Sequence, residues 1–253
     1  MAFSQANINS ILDALNEQGI TNPYLQAGIL ATVAKETKIQ PISENLKYTS
    51  ASRLRQVWPS LFPTDADAQP YTNNPEKLGN YVYGGKFGNA VNEGFKYRGR
   101  GYNGLTFKAN YKRIGDLIGM DLVSNPDLVN NPDVAAKVLA IFYKDNMGKV
   151  SCRPSKYTLD GSNDIKNLDS GVRVAVAITA GCPTSTGGNI FREGLSRASE
   201  FAPGLLPYAQ QKKSNVRTMS GKSRLPYIIV GIVLILIIVL LIIYRKKIIA
   251  KLT

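Results

Sequence analysis

Two carboxylates open the chemical reading of this chain. Glu36 ends the apolar run Gly28-Ile-Leu-Ala-Thr-Val-Ala-Lys35, and Glu44 follows eight residues on, beyond a turn marked by Pro41. Paired acids suit cleavage of a glycosidic bond, where one carboxyl gives a proton to the leaving oxygen and another, ionised, activates water or attacks the sugar. Surroundings can divide those roles. Apolar walls at the end of a helix suit a carboxyl that must hold a proton, and the polar segment around Glu44 suits one that stays charged. The competing reading is two solvated glutamates without chemistry.

Other chemistries lack their residues. The chain of 253 residues contains no histidine and two cysteines, Cys152 and Cys182. That removes a Ser-His-Asp triad, a histidine-ligated zinc and a Cys-His pair. No glycine loop ends in Lys-Ser or Lys-Thr to cradle phosphate. The expectation is therefore an enzyme without cofactor or metal. The two cysteines can pair as a disulfide or remain thiols.

The elements that must position the acids read as helices. Asn7 to Asn16 places Ile8, Ile11, Leu12 and Leu15 on one face, with Gly19 as a stop. Asn22-Pro23 is a cap and first position for a second helix to about Lys35, which would put Glu36 on a rigid, buried element. Ser50 to Trp58 reads as a helix with Leu54, Val57 and Trp58 inward, and residues 64–76 as a polar surface loop. Thr106 fits an N-cap for a helix through Ile118. Asn131-Pro132 starts another, with Val134, Val138, Ile141 and Phe142 at helical spacing. Residues 151–164 read as an inserted loop before an apolar helix from Val172 to Ala180.

Three groups of residues in order, Glu36-Thr37, Glu44-Asn45-Leu46-x-Tyr48 and Tyr97-Arg98-Gly99-Arg100-Gly101, resemble glycoside hydrolase family 19. That family contains chitinases and phage or bacterial lysozymes, and the resemblance covers about residues 22–150. It implies a mainly α, lysozyme-like, two-lobed helical domain with a cleft. It also implies Glu36 as general acid, Glu44 as the second functional acid acting as base, and inversion at the sugar. Thr49 falls where lysozyme-type members carry a hydroxyl that helps position the water. The segment Asn80-Tyr-Val-Tyr83-Gly-Gly-Lys-Phe-Gly-Asn89 resembles the family's cleft lining. Tyr81 and Tyr83 offer stacking faces there, and Asn80 and Asn89 offer amides for hydroxyls and N-acetyl groups; Tyr83 and Asn89 are the preferred contacts. Arg98 or Arg100 is expected to hold an active-site glutamate, with a structural salt bridge as the alternative.

The chain departs from the family pattern in two places. Gly104 stands where the pattern has Gln and Phe107 where it has Gly, with Asn103 placed to substitute for the missing amide. The sugar-contacting Ile-Asn-Gly-Gly turn is replaced by Gly187-Gly188-Asn189, which assigns that contact to Asn189.

Charge and hydropathy divide the chain further. Residues 212–253 hold nine of the basic residues and no acid, so removing them from the net charge of +13 leaves +4 on residues 1–211. Two arginines in one short motif are too few for a nucleic-acid track, and the remainder suits an anionic wall polymer. Residues 227–243 carry no charge, and with their flanks match the ~30 Å hydrocarbon core of a bilayer. The resulting plan is a hydrolase domain over 1–203, a basic flexible tether over 204–226, a transmembrane helix over 227–244 and a basic tail over 245–253. The N-terminus does not read as a signal peptide. Topology then suggests a single-pass, C-terminally anchored protein in the membrane of a lipid-containing virus particle. The expected reaction is hydrolysis of a β-1,4 bond in peptidoglycan, preferred over chitin because the short Glu-to-Glu interval resembles the lysozyme-type members. A chitinase, a non-catalytic wall-binding module and a structural virion membrane protein are the alternatives.

Overall fold

The computed structural model describes residues 3–147, 165–180 and 189–212. The chain divides into a unit over Met1–Ala209 and a second over Gln210–Thr253, of which only residues 210–212 are described. The first unit is mainly helical.

Helix α1 (Gln5–Glu17) starts where the Ser4 side chain accepts the Asn7 N–H. Its Ile8, Ile11, Leu12 and Leu15 are completely buried, as their spacing requires. Helix α2 (Pro23–Thr37) is capped by Asn22, whose side chain accepts the Tyr24 and Leu25 N–H groups. Every residue from Leu25 to Ala34 is buried, so α2 is the central rod of the unit. It stops at Lys38, which takes a left-handed conformation with φ 54°.

Later helices wrap this rod. Helix α8 (Leu168–Ala180) meets α2 where glycine faces glycine. A Cβ on Gly28 would stand 2.5 Å from the Gly171 carbonyl oxygen, and one on Gly171 would stand 2.2 Å from the Tyr24 oxygen. Helix α7 (Pro132–Met147) serves two cores. Ala135, Ala136, Leu139, Ala140 and Tyr143 join the large cluster around α1, α2 and α8. Val134, Val138 and Ile141 pack with Tyr97, Tyr111 and Ile114 around α6 (Lys108–Ile118). A third cluster joins α3 (Ala51–Val57), α4 (Asp65–Ala68) and α5 (Pro75–Tyr83) through Leu46, Leu54, Phe62, Leu78 and Val82. The described apolar residues thus form three core clusters. Strands β1 (Ile42–Ser43) and β2 (Arg100–Gly101) make a two-residue antiparallel ladder.

Several expectations need correction. Val57 is 36% exposed, because α3 ends there and turns Leu54 alone fully inward. Residues 64–76 are not simply a loop. Thr64 and Asp67 form a reciprocal capping box that starts α4, followed by a 3₁₀ turn over Gln69–Tyr71. Helix α6 begins after Phe107, while the Thr106 hydroxyl donates to the Gly104 carbonyl.

Residues 204–212, expected to begin a tether, continue a helix, α9 (189–212). Phe191, Ala198, Ala202, Leu205 and Ala209 recur at three- and four-residue spacing and are buried in the large core. Pro203 and Pro207 lie on the exposed side, where freed carbonyls can bond to water. The membrane localisation is also corrected. Among the described residues no helix is long and apolar enough to cross a bilayer. Helix α9 carries Arg192, Glu193, Arg197 and Glu200 outward and is docked on the core by its other face. The segment 227–244, on which the anchored and virion placement and the lipid partner rested, lies outside the described residues, as do 151–164 and both cysteines.

Candidate active site

The β1–β2 ladder builds one wall of the site. Ile42 pairs with Gly101 and Ser43 with Arg100, and the next residue, Glu44, continues the ladder by donating its N–H to the Gly99 carbonyl at 2.8 Å. Gly101 has φ 82°, a conformation that glycine takes without strain. The backbone of the Arg98–Gly101 segment therefore fixes where the Glu44 side chain starts.

Two donors then orient the carboxylate. The Tyr83 hydroxyl, from the last residue of α5, donates to Glu44 Oε1 at 2.8 Å, and the Gly99 N–H approaches Oε2 at 3.4 Å. Burial, then the bond to Glu44, push the Tyr83 hydroxyl above its ordinary value, so it keeps the proton it donates.

Glu36 is held differently. It lies in the last turn of α2, its side chain is 61% exposed, and Lys35 Nζ stands 2.6 Å from its Oε1. The expectation of apolar walls around Glu36 fails, because the buried stretch of α2 ends at Ala34. Glu36 and Glu44 nevertheless line one cavity of about 450 Å³. Thr32, Val33 and Thr37 of α2, Ile42, Tyr83, Gly99, residues 101–104, Thr106 and Thr179 share its wall.

The remaining expected residues divide. Tyr83 and Asn103 line the cavity, and Asn103 Oδ1 is a buried acceptor with no protein partner. Thr49 is exposed and is not part of the lining. Asn89 is buried, and both ends of its amide serve backbone. Its Nδ2 donates to the Tyr83 carbonyl and its Oδ1 accepts the Lys108 N–H, each at 2.8 Å. Asn80 accepts the Phe95 N–H, and Tyr81 packs on Tyr71 at 4.6 Å between ring centroids. Asn189 accepts from Arg192 and lies outside the lining.

Neither arginine bonds to an acid of the cavity. Arg100 is 3% exposed, pairs with Asp127 at 2.7 Å, and donates to the Lys96 and Arg98 carbonyls and the Tyr111 hydroxyl. This is the structural alternative. Arg98 stacks its guanidinium 4.0 Å from the Phe95 ring centroid and donates to the Phe95 carbonyl. Burial, then the neighbouring Arg100, lower its affinity for its proton.

Sequence reasoning missed Thr32, a hydroxyl within the buried stretch of α2. Thr32 lines the cavity and shares a 2.9 Å hydrogen bond with the buried Tyr143 hydroxyl. The signal was the interruption of the run Ile29-Leu-Ala-Thr-Val by one polar side chain.

The family model for class I chitinases of glycoside hydrolase family 19 matches residues 64–163. A family 19 domain-containing protein of Haemophilus influenzae is 31% identical over 134 residues, 51% of this chain and 66% of that protein. The chain carries a glycoside hydrolase family 19 domain. Chitinase 11 of Oryza sativa subsp. japonica is 51% identical over 47 residues, 19% of this chain and 18% of the rice protein. The matches thus span just under two thirds of one curated relative and under a fifth of the other. Chitinase C of Streptomyces griseus superposes with a TM-score of 0.44 at 19% identity, covering 81% of this chain and 70% of that one. A bacterial family 19 chitinase gives a TM-score of 0.40 at 21% identity, covering 81% and 86%. Glu36 and Glu44 precede the residues matched by the family model. Both line the cavity described above.

Proposed function

We propose that the family 19 domain hydrolyses β-1,4 bonds of an N-acetylated glycan, with Glu44 as general base and Glu36 as general acid. The observation that carries this reading is that the two carboxylates, from different elements, line the same cavity. Glu44 is oriented by two donors that leave it able to accept a proton from water. Glu36 presents an exposed carboxyl, and its ion pair with Lys35 must open before it carries a proton to the leaving oxygen. Asn103 Oδ1, an acceptor without a protein partner on the wall, suits the N–H of an N-acetyl group.

The preferred substrate is peptidoglycan, since the net positive charge suits an anionic wall polymer. Chitin is the second reading, favoured by the match to the class I chitinase model. The test is release of reducing ends from purified peptidoglycan and from chitin oligomers by the full chain, beside Glu36→Gln and Glu44→Gln. Each substitution is expected to lower turnover by about 10²–10⁴. Wild-type activity in either variant overturns the paired-acid reading, and cleavage of chitin alone transfers the assignment to chitin. Inversion is checked by the anomer first released, seen by proton NMR.

A further inference from the structure

Beyond Tyr83 the aromatic surface continues away from the cavity. The Phe107 ring packs edge-on against Tyr83 at 5.7 Å between centroids, and the Phe87 ring lies 4.8 Å beyond Phe107. Phe87 is 71% exposed. Both phenylalanines have positive φ, 43° and 73°, where a bulky side chain is disfavoured and glycine would fit freely. Phe107 also occupies the N-cap of α6 and makes no side-chain capping bond there. Neither the backbone nor the helix start requires these side chains.

The surrounding bonds hold the two rings together all the same. The Phe87 carbonyl accepts the Ala109 N–H at 3.1 Å, and Asn89 accepts the Lys108 N–H while donating to the Tyr83 carbonyl. The loop bearing Phe87 thus satisfies the first turn of α6 and ties itself to the end of α5. Lys86 Nζ closes it further on the Val82 carbonyl at 2.7 Å. A strained aromatic pair, with Phe87 exposed and Phe107 half-buried behind it on a braced rim, has the properties of a binding platform.

We propose that Phe87 and Phe107 stack a pyranose ring of the glycan as it leaves the cavity past Tyr83, forming a sugar subsite outside the cleavage site. This rests on the glycan reading above. The C–H face of a sugar is apolar and matches an aromatic face, and Tyr83 belongs both to the cavity and to the ring series, so one chain of sugars can run along both. The platform is then a determinant of substrate length.

The experiment compares the full-length wild type with Phe87→Ala and Phe107→Gly on soluble glycan oligomers of both candidate types, peptidoglycan strands without peptide and N-acetylglucosamine oligomers, each short (about three units) and long (about six units). It is paired with calorimetric binding of the long oligomer in a Glu44→Gln background. The expected result is a drop of about tenfold in kcat/KM and in affinity for the long oligomer, with short oligomers changed less than about twofold. Equal losses at both lengths mean a structural role and overturn the proposal, as does no loss at either. A wild type that binds a long oligomer through Phe87 but cuts neither oligomer type supports the platform and removes the hydrolase reading. Cleavage with unaltered length preference in both variants does the reverse. No binding and no cleavage overturn both. Sedimentation of wild type and Phe87→Ala covers self-association: a dimer lost on substitution assigns the rings to a second copy and overturns the proposal.

Discussion

Glu36 and Glu44 carry the same functional group, and the difference between them lies in what holds each one. Glu44 is anchored by a strand, a tyrosine hydroxyl and a backbone N–H, whereas Glu36 has only the neighbouring Lys35 ammonium among the described contacts. Tyr83→Phe removes one donor without changing the ring that packs on Phe107. A hydrogen bond to a charged group is worth roughly 1.5–3 kcal/mol. The expected outcome is a fall in kcat of about 10- to 100-fold with KM within about twofold, read from steady-state kinetics on oligomers. Gly104, where the family pattern has Gln, has φ 66°, and a Cβ placed there would stand in open space. Gly104→Gln therefore meets no clash, and its left-handed backbone costs about 1–2 kcal/mol, to be seen in thermal unfolding.

At the scale of elements, close approach and buried amides decide what can change. The α2–α8 crossing relies on glycine at both positions, and the atoms that a new Cβ would strike are backbone. Gly28→Ala is expected to destabilise by about 1–3 kcal/mol or more, measured by denaturant unfolding. Asn89 joins the end of α5 to the start of α6 through two backbone bonds. Asn89→Ala leaves a carbonyl and an N–H without partners and is expected to cost about 2–4 kcal/mol. Its loss of activity would then follow from loosening Tyr83. The resemblance of its segment to the family's cleft lining names Asn89 as a sugar-binding amide, and the fold uses it as a bracket instead, because residues 83 and 108 are brought together only when the loop after α5 folds onto the start of α6.

For the whole molecule, the limits of the fold are set by the core. A chain ending at Pro203, the boundary expected from composition, loses the buried Leu205 and Ala209. It is expected to be less stable by about 2–5 kcal/mol than one ending at Lys212, by calorimetry. The rim has a separate dependence on pH. Glu93 accepts the Ala90 N–H and binds Lys108, and these, in that order, hold its carboxyl below its ordinary value of 4.5. Its contribution is complete above that ordinary value and is lost as pH falls through the lower folded one. Amide protection in residues 84–93, measured against the intrinsic exchange rate at each pH, should therefore fall in acid for the wild type. Glu93→Gln should lack that acid-dependent step.

The sequence by itself determined the helices whose caps and apolar faces are local: the apolar face of α1, Asn22-Pro23 and α2, Asn131-Pro132 and α7. The resemblance to family 19, carried by short motifs of adjacent residues, also singled out Glu36, Glu44 and Tyr83, which line one cavity. Tertiary structure alone decided which polar groups meet. Arg100 turned to Asp127, Asn189 to Arg192, and Thr49 to the exterior, while Thr32 entered the cavity from the middle of an apolar helix. Caps and helical faces depend on residues within a turn of each other, so they are written locally. A side chain's partner depends on which distant backbone packs beside it, and Glu44 meets Tyr83 and Gly99 only after 39 and 55 residues of chain have folded back.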